Sequence, residues 1–243
     1  AVLSHLTNGR YFVGFARGFQ DRWTDVIGQH LGACATHDGV TSEEDQRNRD
    51  IWTEQVELVV DSWTKESIEH NTPLWQVPSP HETGIKWWMS ESTKRLGAEG
   101  EVDEGGHVRR VSVVPAPYQK QIPQVFVAMA GSVDSVKYAA KRGYSPLYFS
   151  SIERTAEFAK IYQKEANMAG HNFSLGQNCA GVRWFAIGET EKEAREKVLH
   201  HDADILRLRE KRTQTPHLRS MLRSAAGFSI LGMIAGRASG STP

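Results

Sequence analysis

Three polar side chains of this sequence have the right types and positions to hold a phosphate group together. Arg17 directly follows residues 10–16, a run of β-branched and aromatic residues bounded by glycines, which predicts a short buried strand. A guanidinium group suits phosphate because its planar fork offers paired hydrogen-bond donors. The alternative is structural: Arg17 pairs with a nearby carboxylate and only holds a loop.

The other two side chains, Ser132 and Ser135, stand where a second strand gives way to a helix. Residues 124–136 predict a strand, a glycine turn and a helix start, with Ser132 as the N-cap and Ser135 at the third helical position. Free backbone N–H groups and the positive end of the helix dipole favour an anion there. We therefore predict that both hydroxyls and Arg17 meet at neighbouring strand ends as one phosphate cradle.

Four segments are predicted to form the strands that position this cradle: residues 10–16, 124–128, 146–150 and 179–187. Between them lie amphipathic helical patterns, and strands that alternate with helices are typical of a parallel α/β sheet. Arg17 then lies at the carboxyl end of a strand, where α/β barrels carry their chemistry.

The predicted helices have clear capping signals. A capping box of Thr41 and Glu44 begins a helix with an apolar stripe, and Gly143 ends the helix of residues 133–142. Further caps are predicted at Ser150 or Ser151, for a helix that ends near Gly170, and at Thr190 with Glu193, for a long charged helix. The stripe after the capping box is expected to be core, and it consists of Trp52, Val56, Val59, Val60 and Trp63.

Three segments lack a clear period. Residues 19–40 are predicted to be a long irregular loop. Residues 71–122 form an excursion rich in proline and glycine, with a plausible strand at 108–114. Residues 214–243 are predicted to be a weakly structured tail.

Composition excludes several classes of function. The 243 residues contain 29 Lys and Arg and 29 Asp and Glu, so the formal net charge is zero, which argues against a nucleic-acid or acidic-membrane surface. No run of 18 apolar residues predicts a spanning helix. Two cysteines far apart suggest no disulfide framework, and a reducing cytoplasm is the default expectation.

The cluster of His200, His201 and Asp202 is interpreted as a solvated helix face, because adjacent helical residues point in different directions. No metal site is therefore predicted.

Several motifs, in this order and at these separations, resemble the bacterial luciferase-like flavin monooxygenases. They are GR at residues 9–10, GFARG at 14–18, VAMAGS at 127–132 and YAAKRG at 138–143. The likeness extends from about Leu3 to about Glu196. It implies a (β/α)₈ TIM barrel, here a single domain over residues 1–243. The four predicted strands would be strands four to seven, so the barrel is expected to be incomplete and the chain to be part of a longer protein.

The resemblance also implies a cofactor site. Arg17, Ser132 and Ser135 match the positions that hold the flavin phosphate in bacterial luciferase, although the third hydroxyl there belongs to a threonine. Gly131 belongs to the predicted cofactor-binding set and replaces an acidic residue of luciferase. Three more residues are expected near the isoalloxazine ring or the phosphate tail: Ala16, Phe19 and Met129.

The function that the resemblance implies is a flavin-dependent monooxygenase that uses reduced FMN and O₂ on a small organic substrate. A separate flavin reductase, a homodimer that forms through the helix after Thr41, and a cytoplasmic location are the corresponding expectations. A coenzyme F420-dependent oxidoreductase and a non-catalytic flavin-binding subunit are the alternatives. No catalytic residue is assigned, because none of the ten histidines matches the important histidine of luciferase.

Overall fold

The computed structural model of the chain describes residues 1–18, 21–34, 43–129, 132–182 and 186–198. The strands in chain order are β1 (Phe12–Phe15), β2 (His70–Asn71), β3 (Gln76–Val77), β4 (Ile85–Lys86), β5 (His107–Val108), β6 (Gln124–Met129), β7 (Ser145–Tyr148) and β8 (Ala180–Gly181). The α-helices are α1 (Val2–Leu6), α2 (Asp21–Ile27), α3 (Glu43–Thr64), α4 (Ser90–Leu96), α5 (Val133–Arg142), α6 (Ile152–Met168) and α7 (Glu191–Lys197). Short 3₁₀ helices cover Gln29–Leu31 and Tyr118–Lys120.

A four-stranded parallel sheet in the order β1–β6–β7–β8 is the frame of the fold. Phe15 of β1 pairs in register with Val127 of β6, and Met129 of β6 pairs with Tyr148 of β7. Helices α5 and α6 connect β6 to β7 and β7 to β8, as crossovers between parallel strands require. The predicted α/β class is therefore confirmed. The described residues contribute four parallel strands, where a closed (β/α)₈ barrel has eight.

The core lies between this sheet and helices α5 and α6. Alternate residues of β6 face it, because successive side chains of a strand point to opposite faces. On α5 the residues at helical spacing are completely buried. The buried cluster consists of Val125, Val127, Met129, Val136, Ala139, Ala140, Tyr148, Phe158, Tyr162 and Ala166.

The capping predictions for the crossover helices are confirmed. Helix α5 covers the predicted residues, with Ser132 as its N-cap and Gly143 in the left-handed region at φ 68° as its C-cap. Ser151 caps α6 by accepting a hydrogen bond from the Arg154 N–H. Thr190 likewise caps α7. Thr41, the first residue of the predicted capping box, lies outside the described residues, whereas α3 itself is present.

Two strand predictions need correction. The first strand is not buried: Phe12 is 70% exposed, and among the described residues β1 forms the edge of the sheet. The apolar pattern of a strand does not reveal whether it pairs with one neighbouring strand or with two. The strand predicted at residues 179–187 pairs only at Ala180–Gly181 among the described residues, and residues 183–185 lie outside them.

The loop predicted at residues 19–40 contains helix α2 and a 3₁₀ helix, so this prediction is wrong for those segments. Helix α2 has seven residues, and Trp23, Val26 and Ile27 are all exposed. Its apolar residues stand at helical spacing, but the pattern covers barely one turn, which is too short to distinguish a helix from an irregular loop.

The excursion contains two small antiparallel sheets, β2–β3 and β4–β5, and helix α4. The strand predicted at residues 108–114 is mostly wrong: β5 ends at Val108, and beyond it Val111 makes an isolated bridge to Ile68.

The predicted histidine cluster at 200–202 and the tail lie outside the described residues. Within the part of the chain that is described, no helix has the length and apolar character needed to cross a membrane.

Candidate anion-binding site

Arg17 lies where β1 ends, two residues after Phe15. Its side chain is 27% exposed, and Nη1 donates a hydrogen bond of 2.8 Å to Oδ1 of Asp45. The same nitrogen is 3.4 Å from the backbone carbonyl of Asp45. The first turn of α3 thus holds the guanidinium group beside the carboxyl ends of β1 and β6.

Asp45 is a buried carboxylate that bridges two arginines. Its side chain is 3% exposed, and its second oxygen, Oδ2, lies 3.2 Å from Nη2 of Arg49. Asp45 and Arg49 are four residues apart on α3 and therefore lie on the same face of the helix. A carboxylate this deeply buried requires paired positive charge, and here two guanidinium groups supply it.

Arg49 connects α3 to the start of α5. Its Nη1 donates hydrogen bonds to Oγ of Ser135 at 3.1 Å and to Oγ of Ser132 at 3.4 Å. The side chain is 16% exposed, so it lies mostly between the two helices.

Ser132 shapes the start of α5. Its backbone is extended, at φ −97° and ψ 125°, and its Oγ accepts a hydrogen bond from the Ser135 N–H at 3.5 Å. The first backbone N–H groups of a helix have no acceptor within the helix, so they and the helix dipole present partial positive charge at this point.

We call Arg17, Asp45, Arg49, Ser132 and Ser135 the arginine–serine cluster. Two guanidinium groups and one carboxylate leave it a formal charge of plus one, at the positive end of α5. Hydroxyl and guanidinium groups at a helix start are the donors that bind phosphate oxygens. The cluster is therefore equipped to hold a phosphate group.

The three residues predicted as the phosphate cradle are brought together, although Arg17 reaches the serines only through Asp45 and Arg49. Their ligand role stays a prediction. The alternative for Arg17, a pair with a nearby carboxylate, describes a contact that is present.

The other predicted site residues differ in their placement. Ala16 is exposed beside Arg17. Met129 is 1% exposed and packs in the core, so its contact with a ligand stays a prediction. Phe19 and Gly131 lie outside the described residues.

Asp45 and Arg49 are the residues of the cluster that sequence reasoning missed. Their four-residue spacing on a predicted helix is a detectable signal, because an Asp and an Arg at this spacing can pair. That spacing alone does not indicate that the pair faces a second helix and another arginine.

Aromatic residues lie behind the cluster, where α3 packs on α5. The rings of Trp52 and Tyr138 are 5.1 Å apart, and the guanidinium carbon of Arg142 lies 4.0 Å from the centre of the Tyr138 ring. Arg142 also pairs with Glu57 of α3. Burial raises the pKa of the Tyr138 phenol. These contacts fix the distance between the two helices that carry Arg49 and the serines.

The described ranges contain no group of three or more His, Cys, Asp or Glu side chains that could hold a metal ion. Burial raises the pKa of the Cys179 thiol, which packs against the core and lies 4.0 Å from the Tyr148 hydroxyl.

A sequence profile of the family described as "luciferase-like monooxygenase" matches residues 1–228. The chain belongs to this family. The resemblance found in the sequence is thereby confirmed.

Two solved structures have a similar fold. One is the oxygenating constituent of 3,6-diketocamphane monooxygenase from the CAM plasmid of Pseudomonas putida, a type II Baeyer-Villiger monooxygenase in complex with FMN. It is 19% identical, with a TM-score of 0.60 over 92% of this chain and 53% of that one. The other is the monooxygenase RslO1 from Streptomyces bottropensis, 20% identical, with a TM-score of 0.54 over 93% of this chain and 52% of that one.

The luciferase-like chain thus spans about half the length of these solved structures. Among proteins with curated descriptions, none matches its sequence significantly.

Proposed function

We propose that this luciferase-like chain binds FMN by its phosphate through the arginine–serine cluster. We further propose that the protein is a flavin-dependent monooxygenase, which uses reduced FMN and O₂ on a small organic substrate. The observation that carries the proposal is the convergence of Arg17, Arg49, Ser132 and Ser135 at the start of α5. Family membership and the FMN in a structural relative support it.

The cluster fits the phosphate group of FMN in charge and in donor chemistry. A phosphate monoester carries between one and two negative charges at pH 7, and the cluster is formally positive. Ser132, Ser135 and the N–H groups of α5 offer neutral donors, while the two arginines offer charged ones. Arg17 is 27% exposed, so its guanidinium group is accessible to a ligand.

Reduced FMN, when bound, supplies the electrons with which O₂ is activated. The task of the described residues is to bind and orient the cofactor: the cluster holds the phosphate group at the carboxyl edge of β1 and β6. In this proposal a separate flavin reductase supplies the reduced cofactor, and the protein works as a homodimer in the cytoplasm.

The test is an anaerobic titration with reduced FMN and, in parallel, with reduced riboflavin, which lacks the phosphate. Wild type should bind FMN more tightly than riboflavin. Arg17→Ala should weaken FMN binding about tenfold or more, equivalent to roughly 1.4 kcal/mol, and leave riboflavin binding unchanged. The matched control is Arg10→Ala, because Arg10 is an exposed arginine before β1, and its Nε donates a hydrogen bond locally, to the Thr7 carbonyl.

An unchanged FMN affinity in Arg17→Ala would refute the site assignment. Saturable binding of F420 in place of FMN would favour the F420-dependent alternative. Tight FMN binding without any oxygen-dependent product across a panel of substrates would favour the non-catalytic flavin-binding subunit.

A further inference from the structure

We infer that Asp45 is a positioning residue of the phosphate site, which holds Arg17 in its binding orientation before the ligand arrives. This inference rests on the proposed function. It adds a carboxylate, a group that would repel phosphate, to the residues on which phosphate binding depends.

The geometry distinguishes the two arginines that Asp45 contacts. Arg49 keeps two serine hydroxyls as acceptors, at 3.1 and 3.4 Å, in addition to the Asp45 carboxylate. Arg17 has Asp45 as its acceptor, at Oδ1 and at the backbone carbonyl, and the described residues offer it no other. Loss of the carboxylate therefore releases Arg17 more than it releases Arg49.

The position of Asp45 suits this role. It lies in the first turn of a 22-residue helix, and its side chain is 3% exposed. A short side chain on a regular helix has few conformations, whereas an arginine side chain has many and loses them when it is immobilised. A guanidinium group that is already held costs less conformational entropy when phosphate binds.

Two effects of Asp45 on phosphate binding have opposite signs. As a charge, its carboxylate repels the phosphate group, and its removal would tighten binding. As a positioning group it holds Arg17, and its removal would weaken binding. We expect the second effect to be larger, because both carboxylate oxygens are turned toward the arginines and are neutralised by them.

The experiment measures the affinities of reduced FMN and reduced riboflavin for wild type, Asp45→Asn, Arg17→Ala and the double variant. Asp45→Asn should weaken FMN binding about tenfold and leave riboflavin binding unchanged. In the Arg17→Ala background the same change should have an effect of less than about twofold, because the residue through which Asp45 acts is gone. The control is Glu44→Gln, which removes one negative charge from the same helical turn at an exposed position and should leave both affinities unchanged.

Each other outcome overturns the inference. Unchanged or tighter FMN binding by Asp45→Asn would mean that the repulsion between the Asp45 carboxylate and the phosphate group is at least as large as the benefit of holding Arg17. Equal weakening for riboflavin would mean a general structural role. Equal effects of Asp45→Asn in both backgrounds would mean that Asp45 does not act through Arg17. If wild type does not prefer FMN to riboflavin, the proposed function fails and this inference fails with it.

A folding defect in Asp45→Asn would be visible as a lower Tm, and Asp45→Glu then replaces it. That variant keeps the charge but moves the carboxylate by one methylene group. Positioning predicts weaker FMN binding and unchanged riboflavin binding, and an unchanged FMN affinity would refute it.

Discussion

Two tyrosines on the crossover helices allow the contribution of a buried hydroxyl group to be measured in matched contexts. Tyr162 of α6 donates a hydrogen bond of 3.0 Å to the Tyr144 carbonyl and accepts one of 2.7 Å from Nδ2 of Asn178. The hydroxyl of Tyr138 on α5 is also buried, but it has no hydrogen-bond partner among the described residues. Replacement of each by phenylalanine removes one oxygen atom and leaves the ring.

The expected changes in the free energy of unfolding have different signs. Tyr162→Phe loses two hydrogen bonds, each with a net contribution of about 0.5–1.5 kcal/mol, so a loss of roughly 1–3 kcal/mol is expected. Tyr138→Phe removes a hydroxyl whose burial is not compensated by a hydrogen bond. Its free energy of unfolding should stay the same or rise by about 1 kcal/mol.

Urea denaturation at pH 7, followed by circular dichroism, provides the comparison. Equal slopes of free energy against urea in both variants would show that the change lies in stability and not in the unfolded state. A loss of more than about 1 kcal/mol in Tyr138→Phe would refute the reasoning, because it would require a partner for that hydroxyl. A neutral Tyr162→Phe would show that its two bonds contribute little.

Two further predictions concern backbone conformation and pH. Gly143→Ala should lower the free energy of unfolding by more than the roughly 1–2 kcal/mol that a left-handed backbone costs a residue with a Cβ, because that Cβ would lie 2.8 Å from the His171 ring. Gly170→Ala, also at positive φ but with open space around its Cβ, should lose only the backbone contribution. Equal losses of stability in thermal unfolding would contradict this. Burial raises the pKa of Tyr162 from 10.0 to about 12 and raises that of Tyr144 as well, so the folded state binds these protons more tightly. The stabilising contribution of Tyr162 should therefore be complete below pH 10 and be lost between pH 10 and 12, and that of Tyr144 should also be lost above pH 10. Phenolate absorbance that appears near pH 10 without unfolding, and that Tyr162→Phe removes, would contradict the prediction for Tyr162.

Local signals predicted the central crossover well. The helix predicted from about residue 133 to 142 is confirmed as α5, because a serine cap, an amphipathic period and a terminal glycine all indicate the same segment. The apolar stripe of α3 is also confirmed in part: Val56 is 2% exposed, and Trp63 stacks on Phe15 of β1. These features depend on residues close together in the chain.

Features that depend on distant neighbours were predicted less well. The exposure of Phe12 follows from the order of strands in the sheet, which the strand's own residues do not encode. Helix α2 was missed for a different reason, because its seven residues carry only one turn of apolar spacing. Arg49 was missed because its partners, Ser132 and Ser135, are more than 80 residues away and lie on another helix.

Two roles of Arg17, as a phosphate ligand and as the partner of a carboxylate, are compatible within the cluster. A guanidinium group has five N–H donors, and the pair with Asp45 uses only Nη1. The same carboxylate that makes Arg17 structural also fixes the direction of its remaining donors, while its second oxygen engages Arg49. A contact with a carboxylate therefore does not argue against a ligand role for an arginine at a strand end. The useful question is whether that carboxylate also contacts a second cation, as Asp45 does.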